Sequence, residues 1–120
     1  MASAREKLRA AIARKRADAR APALTADPAL DRVAEQYAKL LASTNGGPPK
    51  DKADEIARPL YRAYRTVSFV SGVKGDPLEM AEEPGIVGDG KLVGVGVAQG
   101  PHPNLGKNAV YVTVLIAAPR

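Results

Sequence analysis

The sequence contains no cysteine, no tryptophan and only one histidine among its 120 residues. Without cysteine there is no disulfide scaffold, thiol nucleophile, iron–sulfur cluster or cysteine-based zinc site. Aromatic residues make up 4% of the chain and 22 of its residues are alanine, so the core must be built from a modest set of leucine, isoleucine, valine and tyrosine. One histidine cannot anchor a zinc site, which needs at least three protein ligands. We therefore expect no metal ion and no cofactor.

Long apolar runs are also missing from the sequence. The longest, Val114 to Pro119, is strand-sized and far shorter than the roughly 20 residues of a membrane-spanning helix. Residues 1–20 are charged and contain no apolar stretch of the kind that a signal peptide needs. We expect a soluble chain without a transmembrane segment, with any signal or anchor lying outside these 120 residues.

The net charge of +5 is concentrated at one end of the chain. Residues 1–20 hold seven basic and two acidic side chains, whereas residues 21–120 hold eleven of each sign. We predict a single domain over residues 1–120 with a basic N-terminal helix, residues 1–20, packed on it. The positive charge fits either a solvated helix face, which we favour, or an anion-binding surface that includes Arg14, Lys15 and Arg16.

Helical patterns dominate the first half of the sequence. Residues 3–19 are rich in strong helix formers but carry only a thin apolar stripe. From Leu30 to Leu41, apolar residues recur at the spacing of an amphipathic helix. Thr25 or Asp27 can cap the N-terminus of this second helix.

The second half of the sequence changes from a helical to a β pattern. A third helix is predicted over residues 50–65, kinked or restarted at Pro59 because proline interrupts the hydrogen-bond ladder. The segments predicted after it are a strand from residue 66, a short helix over 76–83, and two valine-rich strands over 91–98 and 109–118 joined by a loop. This order predicts an α+β domain with a small antiparallel sheet.

One segment combines three arginines and two tyrosines within eight residues: Arg58-Pro59-Leu60-Tyr61-Arg62-Ala63-Tyr64-Arg65. On a helix the arginines fall at i, i+4 and i+7 and form one cationic face, with the tyrosines beside it. Arginine binds phosphates or carboxylates bidentately and tyrosine stacks on bases or sugars, so these residues are candidates for anion or partner binding. The alternative, which we favour, is an amphipathic helix with the tyrosines in the core and the arginines in water.

Other residues with possible chemistry have structural explanations that we favour. His102 is a candidate contact residue or pH switch, but it fits a solvated loop. The carboxylates at positions 51, 54, 55, 82 and 83 are typical of charged helix surfaces. Gly94 and Gly96 lie within a strand pattern and indicate close backbone packing or a bulge. The sequence shows no nucleophile paired with a general base, so we predict no enzymatic activity. A hydrolase that uses a pair of carboxylates is the least favoured of the functions that we consider.

Two parts of the chain follow the pattern of one known family. The residues of the first part are Arg5, Leu8, Ile12 and Arg16, followed by Pro22, Ala23, Leu24, Thr25, Asp27, Pro28, Leu30, Ala34, Tyr37 and Ala38. The second part comprises residues 93–98 and 111–117. Together they resemble the opening helices and closing hairpin of the bacterial CAP superfamily, the SCP-like extracellular domain, over about half of the chain. The resemblance implies a three-layer α-β-α sandwich and a location in the extracellular space or cell envelope.

The chain departs from this family at the functional cleft. Full CAP domains carry two histidines and two acidic residues there, one of them in a Glu-Asn pair, whereas this sequence has no Glu-Asn dipeptide and no histidine before the closing strands. No functional residue is therefore carried over. We predict a non-enzymatic, metal-free binding or structural module whose ligand is an unknown protein or polymer. The alternative is an anion-binding protein, for nucleic acid or an acidic polymer, that uses its basic helix faces.

Overall fold

The computed structural model describes residues 2–44, 50–74, 77–83, 86 and 90–119. In chain order these residues form α1 (Ala2–Asp18), β1 (Thr25–Ala26), α2 (Pro28–Ser43), α3 (Lys50–Ala63), β2 (Tyr64–Lys74), a 3-10 helix (Pro77–Glu82), β3 (Leu92–His102) and β4 (Gly106–Pro119). The order of predicted helices and strands is confirmed, and β1 is an addition. The capping residue proposed for the short helix, Asp76, lies outside the described residues. Within the described ranges, no helix has both the length and the apolar character needed to cross a membrane.

The four strands form one sheet in the order β1-β3-β4-β2. β3 and β4 make an antiparallel hairpin, and β2 pairs antiparallel with the other side of β4, from Tyr64 opposite Pro119 to Lys74 opposite Val110. The sheet is antiparallel as predicted except for β1, whose two residues pair in parallel with the start of β3.

Different helices cover the two faces of the sheet. Because successive side chains of a strand point to opposite faces, alternate residues of β3 and β4 separate into two clusters. In the first cluster, residues of α1 and the 3-10 helix pack against β3 and β4. Its members include Leu8, Ile12, Met80, Val93, Val95, Val97, Val110, Val112, Val114 and Ile116. On the other face, Leu115 and Ala117 pack with Leu30 of α2 and Leu60 of α3. The predicted α+β class and the three-layer α-β-α sandwich are confirmed.

Helix α1 is part of the core. Leu8 and Ile12 lie one turn apart and are buried against the sheet. Arg16, one turn further along, is 1% exposed. Its Nε donates to the carbonyl oxygen of Pro22 and its Nη1 to that of Ile86, both at 2.9 Å. This side chain therefore ties the segment after α1 and the segment before β3 to the helix.

Helix α2 lies so close to β3 that only glycine fits between them. A Cβ atom on Gly94 would lie 2.3 Å from the carbonyl carbon of Leu30, and one on Gly96 would lie 2.2 Å from that of Ala34. Such distances are far below van der Waals contact. The predicted close backbone packing at these glycines is confirmed.

Two predicted boundaries were wrong. Helix α3 continues through Pro59 and ends at Ala63, so Tyr64 and Arg65 start β2 instead of extending the helix. The reason is non-local, since pairing with the end of β4 already begins at Tyr64. The hairpin loop is also much shorter than expected, because β3 extends to His102 and β4 starts at Gly106.

Candidate partner-binding surface

The arginines and tyrosines of residues 58–65 are divided between two elements. Arg58 and Arg62 occupy exposed positions of α3, whereas the exposed Arg65 belongs to β2. The prediction of one helical face at i, i+4 and i+7 was therefore wrong for its last arginine. Tyr61, expected in the core, is 56% exposed. The structure nevertheless keeps the three arginines on the surface around the junction of α3 and β2.

Tyr64 has a structural role. Its hydroxyl donates a 2.7 Å hydrogen bond to Oδ2 of Asp27. Oδ1 of Asp27 caps α2 by accepting from the backbone N–H groups of Ala29 and Leu30, at 2.9 and 3.4 Å, so Asp27 is the helix cap of the two candidates. Burial, followed by the hydrogen bond and the negative charge of Asp27, raises the pKa of Tyr64 to about 12. Tyr64 therefore joins the start of β2 to the start of α2.

The three basic residues predicted near the end of α1 lie in different environments. Arg14 is exposed, and Lys15 Nζ lies 2.8 Å from Oε2 of Glu82. The hydrogen bond to Glu82 and then its charge raise the pKa of Lys15. Arg16 is buried and donates to backbone carbonyl oxygens. It therefore fits neither the solvated helix face nor the anion-binding surface, because both require an exposed side chain. The structure does not bring these residues together as one basic cluster.

A line of carboxylates along α2 was not predicted from the sequence. Asp27, Asp31 and Glu35 are four residues apart and therefore share one side of the helix. Oδ1 of Asp31 accepts from the backbone N–H of Val95 at 2.9 Å, and Oε2 of Glu35 accepts from that of Val97 at 3.4 Å. Beyond the short β1, these carboxylates bond to the outer edge of β3.

The same carboxylates also pair with α1. Arg9 pairs with Asp31, and Nη2 of Arg5 lies 2.7 Å from Oε2 of Glu35. The reversed order of the pairs shows that α1 and α2 run antiparallel. Because the two helices cover opposite faces of the sheet, their side chains meet around its edge. Two arginines and two carboxylates at matching four-residue spacing are the sequence signal that could have predicted this contact.

A shallow cavity lies between α2 and α3, next to β2. Its volume is about 120 Å³, and its aromatic lining consists of Tyr37, Tyr61 and Phe69. The rings of Tyr37 and Phe69 are 5.4 Å apart. Asp54 also lines this cavity, so the exposed Tyr61 lies beside a carboxylate on this side of the molecule.

The remaining candidate residues have local roles or lie on the surface. Nδ1 of His102 accepts from the backbone N–H of Asn104 at 3.1 Å, which stabilises the hairpin turn. Asp51, Asp54 and Glu55 are exposed on α3. Among the residues that the structure describes, no three His, Cys, Asp or Glu side chains are grouped so that they could hold a metal ion.

The protein is a small α-β-α sandwich built around a four-stranded mixed sheet. The same fold occurs among solved structures. The chain is similar to an outer surface protein from Borrelia burgdorferi, with a TM-score of 0.71 and 15% sequence identity. The match covers 98% of this chain and 94% of that chain. At this identity the similarity shows a shared fold. No family model matches the sequence, and no curated protein matches it significantly.

Proposed function

We propose that the chain is a non-enzymatic binding or structural module of the bacterial extracellular space or cell envelope. The observation that carries the proposal is the fold it shares with an outer surface protein over nearly the whole of both chains. The polar contacts support it too, because Arg16, Asp31 and Glu35 are engaged in bonds that hold the layers together. Side chains fixed in this way stabilise the packing of the layers.

We also propose that the domain is a reduced, metal-free member of the CAP superfamily. The support is the order of the two opening helices and the closing hairpin, together with the α-β-α layering that the resemblance implies. Because the cleft residues of that family are missing from the sequence, the proposal carries over the fold and the location but no functional residue.

Protease accessibility tests the proposed location. In cells of the bacterium that encodes this chain, we expect added proteinase K to degrade the protein, either in intact cells or after osmotic shock opens the periplasm. Immunoblotting with an antibody against the folded domain provides the readout, and a cytoplasmic protein that remains whole is the control. Degradation only after complete lysis would contradict an extracellular or envelope location.

The alternative function, anion binding, is favoured by one specific observation. Arg58, Arg62 and Arg65 are exposed, and residues 56–75 contain no acidic side chain. A nucleic acid or an acidic polymer would find arginine donors here, with Tyr61 beside them for stacking.

Amide-shift titration with a short single-stranded oligonucleotide tests this alternative. Specific anion binding predicts saturable shifts at residues 58–65 that persist at about 0.15 M salt, where exposed charges are screened within roughly 8 Å. The double variant Arg62→Ala plus Arg65→Ala should lose these shifts, and Arg14→Ala plus Arg32→Ala should retain them. Shifts confined to α1 that vanish with salt would rule the function out.

A further inference from the structure

The two edges of the sheet are protected in different ways. At the β3 edge, β1 pairs with Leu92 and Val93, and the carboxylates of Asp31 and Glu35 accept from the next outward N–H groups. At the β2 edge, no strand in the described part of the chain pairs with the outward backbone. Among the residues that the structure describes, this side of β2 therefore has no strand partner and can pair with an added strand.

Strand β2 is long enough to bind an extended segment. It has eleven residues, and its inner side pairs with β4 from Tyr64 to Lys74, with a register shift between Tyr64 and Thr66. In an antiparallel pair, alternate residues direct N–H and C=O away from their partner, so about five residues of β2 present both groups outward. Thr66, Ser68 and Ser71 are exposed along this strand.

The positive charge of nearby arginines favours an acidic partner. Arg65 lies in β2, and Arg58 and Arg62 lie on α3, which packs against that strand. Residues 56–75, which include these three arginines, contain no acidic side chain. Acidic side chains on an added strand would be attracted by these arginines, and basic ones would be repelled.

A second copy of the chain fits this edge poorly. Strand β2 carries the exposed Arg65, so pairing of β2 with the β2 strand of a second copy would bring two positively charged edges together. Basic residues protect edge strands against self-association. The pattern that discourages a second copy favours an acidic strand.

We propose that the outer edge of β2 binds an extended acidic segment of a protein partner as a fifth strand of the sheet. This inference rests on the proposed binding role and gives the chemistry of the partner. Backbone pairing provides the affinity, and Arg58, Arg62 and Arg65 provide the preference for acidic side chains.

Titration of the ¹⁵N-labelled domain with a synthetic peptide tests the proposal. The probe is a peptide of about ten residues that alternates valine with glutamate, used at about 0.15 M salt. We expect amide shifts concentrated in β2 and amide hydrogen exchange slowed several-fold at alternate residues of that strand, because their outward N–H groups become bonded. The same peptide with lysine in place of glutamate is the ligand control and should not bind.

Charge reversal tests the electrostatic contribution. Arg58→Glu combined with Arg65→Glu reverses two exposed charges, one on α3 and one on β2, whereas Arg14→Glu combined with Arg32→Glu makes the same change in net charge elsewhere. We expect the first pair to weaken binding of the acidic peptide about tenfold or more and the second to weaken it less than about threefold.

Several outcomes would overturn the proposal. Equal losses in both double variants, or shifts centred on α1, would indicate non-specific attraction between charges. Binding of an oligonucleotide with unchanged exchange in β2 would favour the anion-binding function. Concentration-dependent dimerisation that shifts β2 signals without peptide would make a second copy the occupant. These results do not depend on cellular location, so they are independent of the protease experiment.

Discussion

Asp31 connects all three layers through one side chain. It belongs to α2, accepts from the backbone N–H of Val95 in the sheet, and pairs with Arg9 of α1. Hydrogen bonds that involve a charged group are stronger than neutral ones, and removal of one partner leaves the others desolvated and unpaired. A single carboxylate at this position therefore stabilises a helix, a strand edge and a second helix together.

Replacement of Asp31 should measure this contribution. We expect Asp31→Ala to lower the free energy of unfolding by about 1–3 kcal/mol. Asp31→Asn should cost less, because the amide oxygen can still accept from Val95. Urea denaturation followed by circular dichroism gives the values. Glu55→Ala, at an exposed position of α3, is the control and should change the free energy of unfolding by less than about 0.5 kcal/mol. An equal loss in Asp31→Ala and Glu55→Ala would refute the role of Asp31.

Because of Tyr64, the free energy of unfolding should change with pH in the alkaline range. Its pKa is raised to about 12 in the folded chain from an ordinary value of 10.0, so the unfolded chain loses this proton first as the pH rises. The stabilisation is complete below about pH 10 and is lost progressively between about pH 10 and pH 12. Tyr64→Phe should be about 1–2 kcal/mol less stable than the wild type at pH 8, and the difference should shrink above pH 10. Urea unfolding of both proteins across this range checks the sign, and a constant difference would contradict it.

At the residue scale, the contact that we predicted from the sequence has its partners close in the chain. Asp27 was one of two proposed caps because the N–H groups that it accepts from follow within three residues. The burial of Arg16 depends on carbonyl oxygens of Pro22 and Ile86, and the latter is 70 positions away. Only tertiary packing brings that carbonyl to the helix.

At the element scale, α2 and β3 pack with matching repeats. Four residues of helix rise about 6.0 Å and two residues of strand advance about 6.7 Å, so the same contact can recur along both elements. The contacting pairs are Asp27 with Val93, Asp31 with Val95, and Glu35 with Val97. Glycines on the facing side of β3 allow this close approach.

Substitution of these glycines should separate the two elements. Gly96→Ala places a Cβ atom 2.2 Å from the backbone of Ala34, so α2 must move, and we expect a loss of about 1–3 kcal/mol. Gly100→Ala is the matched control, since its Cβ would lie 3.1 Å from Ala42, and it should cost less than about 1 kcal/mol. Urea denaturation of both variants gives the comparison. Equal stability of the two variants would be inconsistent with the packing described.

Elements with a strong period were predictable, and the boundary between α3 and β2 was not. The apolar spacing from Leu30 to Leu41 identified α2, and the valine alternation identified the hairpin. Local preference is divided at this boundary, because tyrosine favours strands and arginine favours helices. Pairing with the last residues of β4, more than 50 positions later, decides in favour of the strand.

At the scale of the whole molecule, α1 covers one face of the sheet. Its buried side chains, Leu8 and Ile12, pack in the same cluster as Val95, Val112 and Val114. The basic N-terminal segment is therefore a layer of the sandwich, and its removal would expose the apolar face of β3 and β4 to water.

A shortened chain that begins at Ala21 should fail to fold cooperatively. It would lack Leu8, Ile12 and Arg16, all buried in the full chain. We expect loss of the cooperative urea transition and aggregation in size-exclusion chromatography, because the exposed strand face is apolar. A chain that begins at Arg5 keeps the described contacts of α1 and is the control. Identical unfolding midpoints for the two shortened chains would show that α1 is dispensable.

The overall α+β layering was predictable because it follows from the order of elements and their apolar patterns. The different protection of the two sheet edges was not, since it depends on which strand lies at each edge. Only the order β1-β3-β4-β2 shows that the basic strand beginning at Tyr64 is at one edge and the carboxylate-capped β3 is near the other.

The matched repeats of α2 and β3 also restrict how the length of this domain can change in evolution. One residue inserted into α2 would rotate all later helical positions by about 100°, moving Glu35 away from Val97. One residue inserted into β3 would turn every later side chain to the opposite face. The two elements can lengthen only together, by four helical residues for every two in the strand. Length differences among relatives should therefore fall in the connections between elements, and α2 and β3 should gain or lose residues in step.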